Sequence, residues 1–229
     1  MTETAHETVV TYPRWAWALV WAGFPAVGAG IGWVLKAIAG WVSGLVWTPL
    51  RGPFTAIASI PEPLATVGAL AIGALAGFAF AFMSAQESLR VTVGVDAVEL
   101  QHGESAPQTY ARSRVDAVFL DAKHLVLLDS GTAELAREKS DLEPDVLRRA
   151  FQEHGWPWLA ADPHAAAFRR WAADDPELPQ VARSLLEARA MALSKGDAAE
   201  AARLRRELAN LGVVVRDEHK RQFWRTVTT

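Results

Sequence analysis

Residues 15–35 read WAWALVWAGFPAVGAGIGWVL, and residues 63–86 read PLATVGALAIGALAGFAFAFMSAQ. The first stretch has 21 residues, the second has 24, and neither contains a charged side chain. A helix that crosses the hydrocarbon core of a bilayer needs about 20 predominantly apolar residues, and a charge at its centre costs about 2.5–3.5 kcal/mol. The two stretches therefore predict a transmembrane hairpin at 15–86, with helices at about 15–35 and 63–86, after a tail at 1–14.

The flanks of these stretches support retention in a membrane. Trp15, Trp17 and Trp21 crowd the start of the first stretch, as expected for rings at a membrane interface. The tail has two acidic residues and one arginine, and a second apolar stretch follows, which is atypical of a cleaved signal peptide. Two spans place both termini on one side, and we expect a multi-pass protein of the cell membrane with cytoplasmic termini.

The segment between the two helices is apolar but rich in helix breakers. Residues 37–62 include Trp41 and Trp47 and three prolines. We predict that this segment is an interfacial or re-entrant loop. Lys36 ends the first helix, where its amine can extend to the lipid headgroups.

Each predicted helix carries a pair of glycines four residues apart: Gly28 with Gly32, and Gly73 with Gly77. This spacing lets two helix backbones approach closely in lipid. The pairs predict either packing within one hairpin or a seam between copies in a homo-oligomer. The alternative is that glycine is simply common in membrane helices.

Residues 88–155 change to short β-like runs separated by turn residues, followed by one helix. Asp141 is a plausible N-cap of that helix and Pro144 lies in its first turn. The pattern predicts a small β-barrel with a C-terminal helix, similar to a pleckstrin-homology (PH) domain. The predicted strands are 89–95, 97–100, 110–114, 115–120, 125–128 and 133–136. Residues 156–178 are rich in proline and aspartate and predict a linker.

Particular residues in this segment resemble the YqeB-like family of bacterial membrane proteins. They are Leu89, Asp129-Ser130-Gly131, Ala150-Phe151 and Gly155-Trp156-Pro157-Trp158. The resemblance covers the hairpin, the PH-like module and the tail. It implies an architecture rather than a reaction.

Residues 179–229 predict two helices and a terminal β-hairpin. The helices are expected at about 180–194 and 198–210, with Asp197 and Glu200 as a capping box and Gly212 as the stop. Val181, Leu185, Ala188 and Ala192 form the expected buried stripe of the first helix. Residues 213–216 and 222–225 are expected to pair as strands.

This last segment resembles the C-terminal domain of cysteinyl-tRNA synthetase. The matching residues are Arg189, Lys195, Asp197, Ala201, Arg205, Leu208, Leu211-Gly212, Asp217 and Trp224. Leu193 and Ala202 depart from the family pattern, which usually has arginine and aspartate there. The synthetase domain helps to contact the anticodon region of tRNA, so the resemblance implies an RNA-contact module.

Residues 179–229 contain ten basic and six acidic side chains, and contact with phosphates requires such an excess. We therefore name Arg189, Lys195, Arg205 and Trp224 as candidate contacts to RNA or a partner. The alternative is a compact helical pair with solvated arginines and a core tryptophan.

The sequence carries no signature of catalysis. It has no cysteine, which excludes disulfides and thiolate sites. Its six histidines lack metal-ligand spacing, and phosphate-binding glycine loops, the nucleophile elbow and the synthetase catalytic motifs are missing. Asp121, His124 and Ser130 lie close in sequence, but in turns that lack an oxyanion-stabilising group.

We therefore expect an α+β membrane protein without enzymatic activity, cofactor or metal, which presents interaction modules to cytoplasmic protein partners. The alternative is a membrane tether for tRNA or other RNA. A transport or lipid-handling role is a third hypothesis, although transport would require polar groups inside the helices.

Overall fold

The computed structural model describes residues 7–43, 61, 63–173, 175–218 and 221–227. The chain forms two compact units. One comprises residues 11–90 with 101–106, and the other comprises the remaining described residues. Most of the predicted 37–62 loop, the first six residues of the 1–14 tail and residues 219–220 lie outside the described residues.

The first unit contains two long helices, α1 (Arg14–Ser43) and α2 (Leu64–Gln86). Both are long and apolar enough to cross a membrane. α1 continues past the predicted end at residue 35, because residues 36–43 contain no proline or other strong breaker. Its internal Pro25 is tolerated, as proline often is in apolar helices.

The second unit begins with strands in two separate sheets. One sheet has the order β1-β2-β3-β4, and the other has the order β5-β6-β7. The strands are β1 (Thr8–Val10), β2 (Leu89–Val93), β3 (Ala97–His102), β4 (Gln108–Ala111), β5 (Ala117–Asp121), β6 (His124–Leu128) and β7 (Glu134–Lys139). Alternating burial along β2, with Leu89, Val91 and Val93 inside, shows why these residues form a strand with one face on a core.

The predicted closed barrel is wrong for the described residues. Between β4 and β5 the chain makes a 3₁₀ turn at Arg112–Arg114, and the two strands do not pair. The free edge of β5 is occupied instead by Trp158, in a parallel bridge with Val118. Val118 N donates to Pro157 O at 2.9 Å, and Leu159 N donates to Val118 O at 2.8 Å. An edge that is already paired cannot close a barrel.

Helix α3 (Pro144–Glu153) follows the second sheet and buries Leu147, Ala150 and Phe151. Its N-cap is Glu143 rather than the predicted Asp141, and its Val146 is exposed. The indole Nε1 of buried Trp156 donates to Gly94 O at 2.8 Å. The start of the predicted linker therefore packs into the PH-like domain.

The C-terminal part consists of α4 (Gln180–Lys195), α5 (Ala198–Asn210) and a three-stranded sheet. The sheet has the order β8-β10-β9, with β8 (Arg169–Arg170), β9 (Val213–Glu218) and β10 (Arg221–Thr226). β8 and the core residue Leu178 come from the segment predicted as a linker. Glu200 N donates to Asp197 Oδ1 at 3.0 Å, which confirms the predicted N-cap of α5.

The buried face of α4 is shifted by one position along the chain from the predicted stripe, except at Ala192. Ala182, Leu186, Arg189 and Ala192 are buried, whereas Val181 is exposed. A sequence pattern of apolar residues favours Val181, because it gives no reason to place an arginine in the core. Arg189 is inside because the fold supplies it with an anionic partner.

Candidate functional site

The two long helices meet through the four glycines named from the sequence. A Cβ added to Gly28 would lie 2.1 Å from Gly73 O, and one added to Gly77 would lie 2.1 Å from Phe24 O. A Cβ added to Gly32 would lie 2.2 Å from Ala69 O. No side chain fits at such distances, so the helix backbones touch. Because these glycines already pack against the other helix of the same chain, a homo-oligomer would need another face of the hairpin.

Outside this seam, the hairpin exposes apolar side chains. Of the α1 side chains that the structure describes, none is buried. Trp15 is 68% exposed in α1, and Ile72 is 71% exposed in α2. Lys36 is the ionisable residue in the described part of α1 after Arg14, and its Nζ donates to Thr66 Oγ1 at 2.8 Å. Both helices of the hairpin therefore expose apolar side chains outside the glycine seam.

Two of the four candidate contact residues are in the core of the C-terminal domain. Arg189 is 2% exposed and Trp224 is 1% exposed. Trp224 packs with Leu186, Leu208 and Val215. Neither can touch an external ligand without unfolding of the domain, so both are structural residues. This corrects the prediction that they contact RNA or a partner.

Arg189 organises this core. Its Nη1 and Nη2 donate to the two carboxylate oxygens of Asp217, at 2.7 and 2.6 Å. Nη1 also donates to Gln222 Oε1 at 2.6 Å, and Nε donates to Ala201 O at 3.2 Å. The guanidinium thus joins α4, α5, β9 and β10. Such bidentate, charge-assisted bonds are among the strongest in proteins.

The other two candidates are nearer the surface. Lys195 is exposed in the last turn of α4. Arg205 is half-buried, and its Nη2 donates to Asp217 Oδ2 at 3.1 Å. A groove of about 510 Å³ lies nearby, lined by Arg170, Trp171, Leu193 and Arg221 among others. The sequence pattern does not indicate this groove, because Arg170 and Trp171 belong to the segment predicted as a linker and Arg221 lies 50 positions later.

A second cluster joins the PH-like domain to the C-terminal domain. Arg225 of β10 is 3% exposed, and its Nη2 donates to Thr132 O at 2.7 Å. Arg216 Nη1 lies 4.0 Å from Asp121 Oδ1. Both guanidinium groups lie over the ring of Phe168, at 4.5 Å for Arg216 and 5.3 Å for Arg225. Phe168, which belongs to the predicted linker, is therefore part of a domain contact.

Thr132 holds an unusual backbone conformation at this contact. Its φ is +66°, and a β-branched residue in the left-handed region is a genuine outlier. Asp129 O accepts from Thr132 N at 3.0 Å, and Asp129 Oδ1 accepts from Ala133 N at 2.8 Å. The Asp129-Ser130-Gly131 turn thereby points the Thr132 carbonyl at Arg225.

Asp121 and His124, which lie close to Ser130 in sequence, have structural roles. Asp121 Oδ2 accepts from Arg137 Nη2 at 2.8 Å, and Arg137 Nε also donates to Glu134 Oε1 at 2.9 Å. Burial and the positive charges of Arg137 and Arg205 lower the pKa of His124, although Asp121 opposes them. His124 is thus held neutral between guanidinium groups at the domain contact.

Replacing Arg225 with alanine should loosen this contact. The change leaves the Thr132 carbonyl without its charged donor, and such hydrogen bonds contribute about 1.5–3 kcal/mol. We expect faster hydrogen exchange at residues 129–133 of the full-length protein, measured by mass spectrometry. Arg221→Ala, at an exposed position of the same strand, is the control. Equal exchange in both variants would contradict the assignment.

The contact should also weaken in acid through His124. The pKa of His124 is lower in the folded chain than its ordinary value of 6.5, so the unfolded chain binds the proton first. The stability that this group contributes is therefore complete above pH 6.5 and is lost as the pH falls from 6.5 toward the folded pKa. Thermal unfolding between pH 7.5 and 5 should show this loss, and His124→Gln should reduce it. A variant with unchanged pH dependence would refute the prediction.

Comparison with known proteins gives the family. Residues 8–159 match the family described as YqeB-like bacterial PH domain, and residues 175–225 match the family described as cysteinyl-tRNA ligase anticodon binding domain. The chain is 36% identical over 230 residues to a Bacillus subtilis (strain 168) protein named "Uncharacterized protein YqeB", with 100% of this chain and 95% of that protein covered. No solved structure matches the chain. Both resemblances noted in the sequence are confirmed, and the chain belongs to the YqeB-like family of bacterial PH-domain proteins.

Proposed function

We propose that this chain is a non-enzymatic, membrane-anchored protein whose hairpin crosses the bilayer and presents the PH-like and C-terminal domains to cytoplasmic protein partners. The observation that carries the proposal is the exposure of apolar side chains around α1 and α2. Soluble monomers rarely expose contiguous apolar patches larger than a few hundred Å². Lipid removes that penalty.

The dimensions of the hairpin support this proposal. Trp15 and Lys36 mark the two ends of the apolar part of α1, and they are 21 positions apart. At about 1.5 Å per residue this distance is roughly 31 Å, close to the thickness of the hydrocarbon core. The Lys36–Thr66 hydrogen bond then lies at the far interface, where the amine can reach water.

The topology of the second unit supports a common side for both ends of the hairpin. β1 precedes α1 and β2 follows α2, and the two strands pair antiparallel with Val10 opposite Val91. The chain therefore enters and leaves the hairpin at neighbouring positions of one sheet. An even number of spans satisfies this constraint.

Single cysteines can test the topology without background labelling, because the sequence has none. We expect the protein to remain in membranes after alkaline carbonate extraction. Ser59→Cys, between the helices, should react with an impermeant maleimide in intact cells. Ser194→Cys, on exposed α4, should react only after permeabilisation. Release of the protein by carbonate would exclude the membrane anchor, and the reverse labelling pattern would exclude the cytoplasmic side.

The second candidate function is a membrane tether for RNA. The match of residues 175–225 to an anticodon binding domain favours it, as does the groove lined by Arg170, Trp171 and Arg221. Guanidinium groups contact phosphates and an indole can stack on a base. Lys195 belongs to the same exposed surface of the domain. These surface residues replace Arg189 and Trp224 as the candidate contacts to RNA.

Binding of tRNA by the full-length protein in detergent, measured across salt concentrations, tests this candidate. Each lost phosphate contact should reduce the salt slope by about 1. We expect that reduction for Arg170→Gln and for Arg221→Gln. Arg149→Gln, at an exposed position of α3, is the charge-matched control. Equal slopes for all variants would exclude this surface as an RNA site.

A further inference from the structure

The first compact unit contains a cavity of about 210 Å³ where α1 begins and α2 ends. Trp17, Trp21, Phe82 and Ala85 line its apolar part. Pockets that enclose a drug-sized ligand are usually about 300–1,000 Å³. A cavity below that range suits a small polar group with the beginning of an apolar chain, rather than a whole large ligand.

One wall of the cavity depends on Gly103. Its φ is +51°, and its N donates to Ser88 O at 3.0 Å. A Cβ at this position would lie 2.6 Å from Gln86 Oε1 and 2.8 Å from Gln86 Cα. Only glycine therefore lets this turn lie directly against the end of α2. The turn brings the next residue, Glu104, to the cavity.

Two opposite charges lie at the cavity. Arg90 and Glu104 both line it, and both are exposed. Within the described part of the chain, neither of these two side chains makes a hydrogen bond or an ion pair. The cavity thus combines an aromatic floor with one unpaired cation and one unpaired anion.

We propose that this cavity binds the headgroup of a zwitterionic phosphoethanolamine lipid, with the phosphate at Arg90 and the primary ammonium at Glu104. The inference rests on the proposed membrane hairpin. Tryptophan rings such as Trp17 and Trp21 are typical of the membrane–water interface, where headgroups lie. The glycerol backbone and first methylenes then contact Phe82 and Ala85.

Arg90 and Glu104 together should determine which class of lipid headgroup the cavity prefers. A choline headgroup has no N–H to donate to Glu104, and a glycerol headgroup has no cation to offset this carboxylate. A phosphoethanolamine headgroup matches both charges with hydrogen bonds. The site should therefore prefer phosphatidylethanolamine to phosphatidylcholine and to phosphatidylglycerol with the same acyl chains.

Native mass spectrometry of the full-length protein, released from detergent with each lipid in turn, tests the proposal. Arg90→Gln should weaken phosphatidylethanolamine binding about fivefold, the factor that corresponds to one basic residue at a membrane surface. Glu104→Gln should weaken phosphatidylethanolamine and strengthen phosphatidylglycerol. Arg206→Gln, at an exposed position of α5 outside this unit, is the charge-matched control and should change neither.

Ala85→Phe provides a second variant, because a ring at that position fills the cavity without changing its charge. It should reduce binding of all three lipids. Equal binding of the three lipids by the unchanged protein would overturn the proposal, as would displacement of the lipid by millimolar phosphoethanolamine alone. If carbonate releases the protein from membranes, the membrane anchor itself fails. If the protein stays inserted but shows no headgroup preference, only the lipid site fails.

Discussion

Replacing Arg189 with alanine should lower the free energy of unfolding of the C-terminal domain by about 3–5 kcal/mol, because removing one partner of a buried ion pair leaves the other charge uncompensated. Here the change leaves Asp217 and Gln222 without the guanidinium from which both accept hydrogen bonds. Protein stability is about 0.05–0.15 kcal/mol per residue. A loss of this size is therefore comparable to the whole stability of a domain of some 50 residues.

Hydrogen exchange of the full-length protein at residues 178–226 is the appropriate measurement, since the hairpin would mask the domain in a global melt. Arg203→Ala is the matched control, because this exposed arginine of α5 pairs only with Glu200 and Glu207 within the described chain. Exposed pairs of this kind contribute little to stability, because water screens their attraction. Similar exchange in the two variants would show that Arg189 is not the centre of the core.

The Arg189–Asp217 ion pair should also make the stability of the C-terminal domain depend on pH in acid. Burial acts to raise the pKa of Asp217, but hydrogen bonds and charge from Arg189, with help from Arg205, outweigh it and hold that pKa below 3.8. The stabilisation is therefore complete above pH 3.8 and is lost as the pH falls through the lower folded value. Asp217→Asn should remove this part of the acid sensitivity, whereas the effect of His124 begins near pH 6.5.

Replacing Gly73 with leucine should separate α1 from α2. The new Cβ would lie 2.1 Å from Gly28 O, a backbone atom that cannot rotate away. Overpacking costs about 1–3 kcal/mol even where neighbouring side chains can adjust. We expect the hairpin to open and the protein to lose thermal stability in detergent by at least that amount.

Two glycines of the same helices provide controls. Gly30 and Gly68 have no atom within 4 Å of an added Cβ, so Gly30→Leu and Gly68→Leu should leave the hairpin closed. A Phe24→Cys, Phe80→Cys pair can report closure, since the two rings lie 5.0 Å apart. Dibromobimane should bridge these thiols in the control variants but not with leucine at position 73. Equal bridging in all variants would disprove close backbone packing.

Local signals were sufficient to predict much of this fold. Charge-free length predicted both long helices, glycine spacing predicted their seam, and Asp197 with Gly212 marked the ends of α5. These features depend on neighbours in sequence. β1 was missed because three residues, Thr8–Val10, carry no periodicity, and they form a strand only by pairing with β2 across the hairpin.

The candidate site was predicted less well, because it depends on tertiary partners. Arg189 looks like a surface cation until Asp217, 28 positions later, is placed beside it. Trp224 looks equally suited to stacking or to a core. Arg225 and Thr132 are 93 positions apart, and no local pattern joins them. The Asp129-Ser130-Gly131 turn was noted as a family feature, but its role in presenting a carbonyl required the structure.

The pairing of Val10 with Val91 has a practical consequence for producing the PH-like and C-terminal domains without the hairpin. Residues 11–90 leave and rejoin a single antiparallel ladder at adjacent positions, so a two-residue turn such as Asn-Gly can replace them without stretching the backbone. The resulting protein of about 150 amino acids would retain β1, residues 91–93 of β2, strands β3–β7 and the whole C-terminal domain in one polypeptide, for crystallisation without detergent.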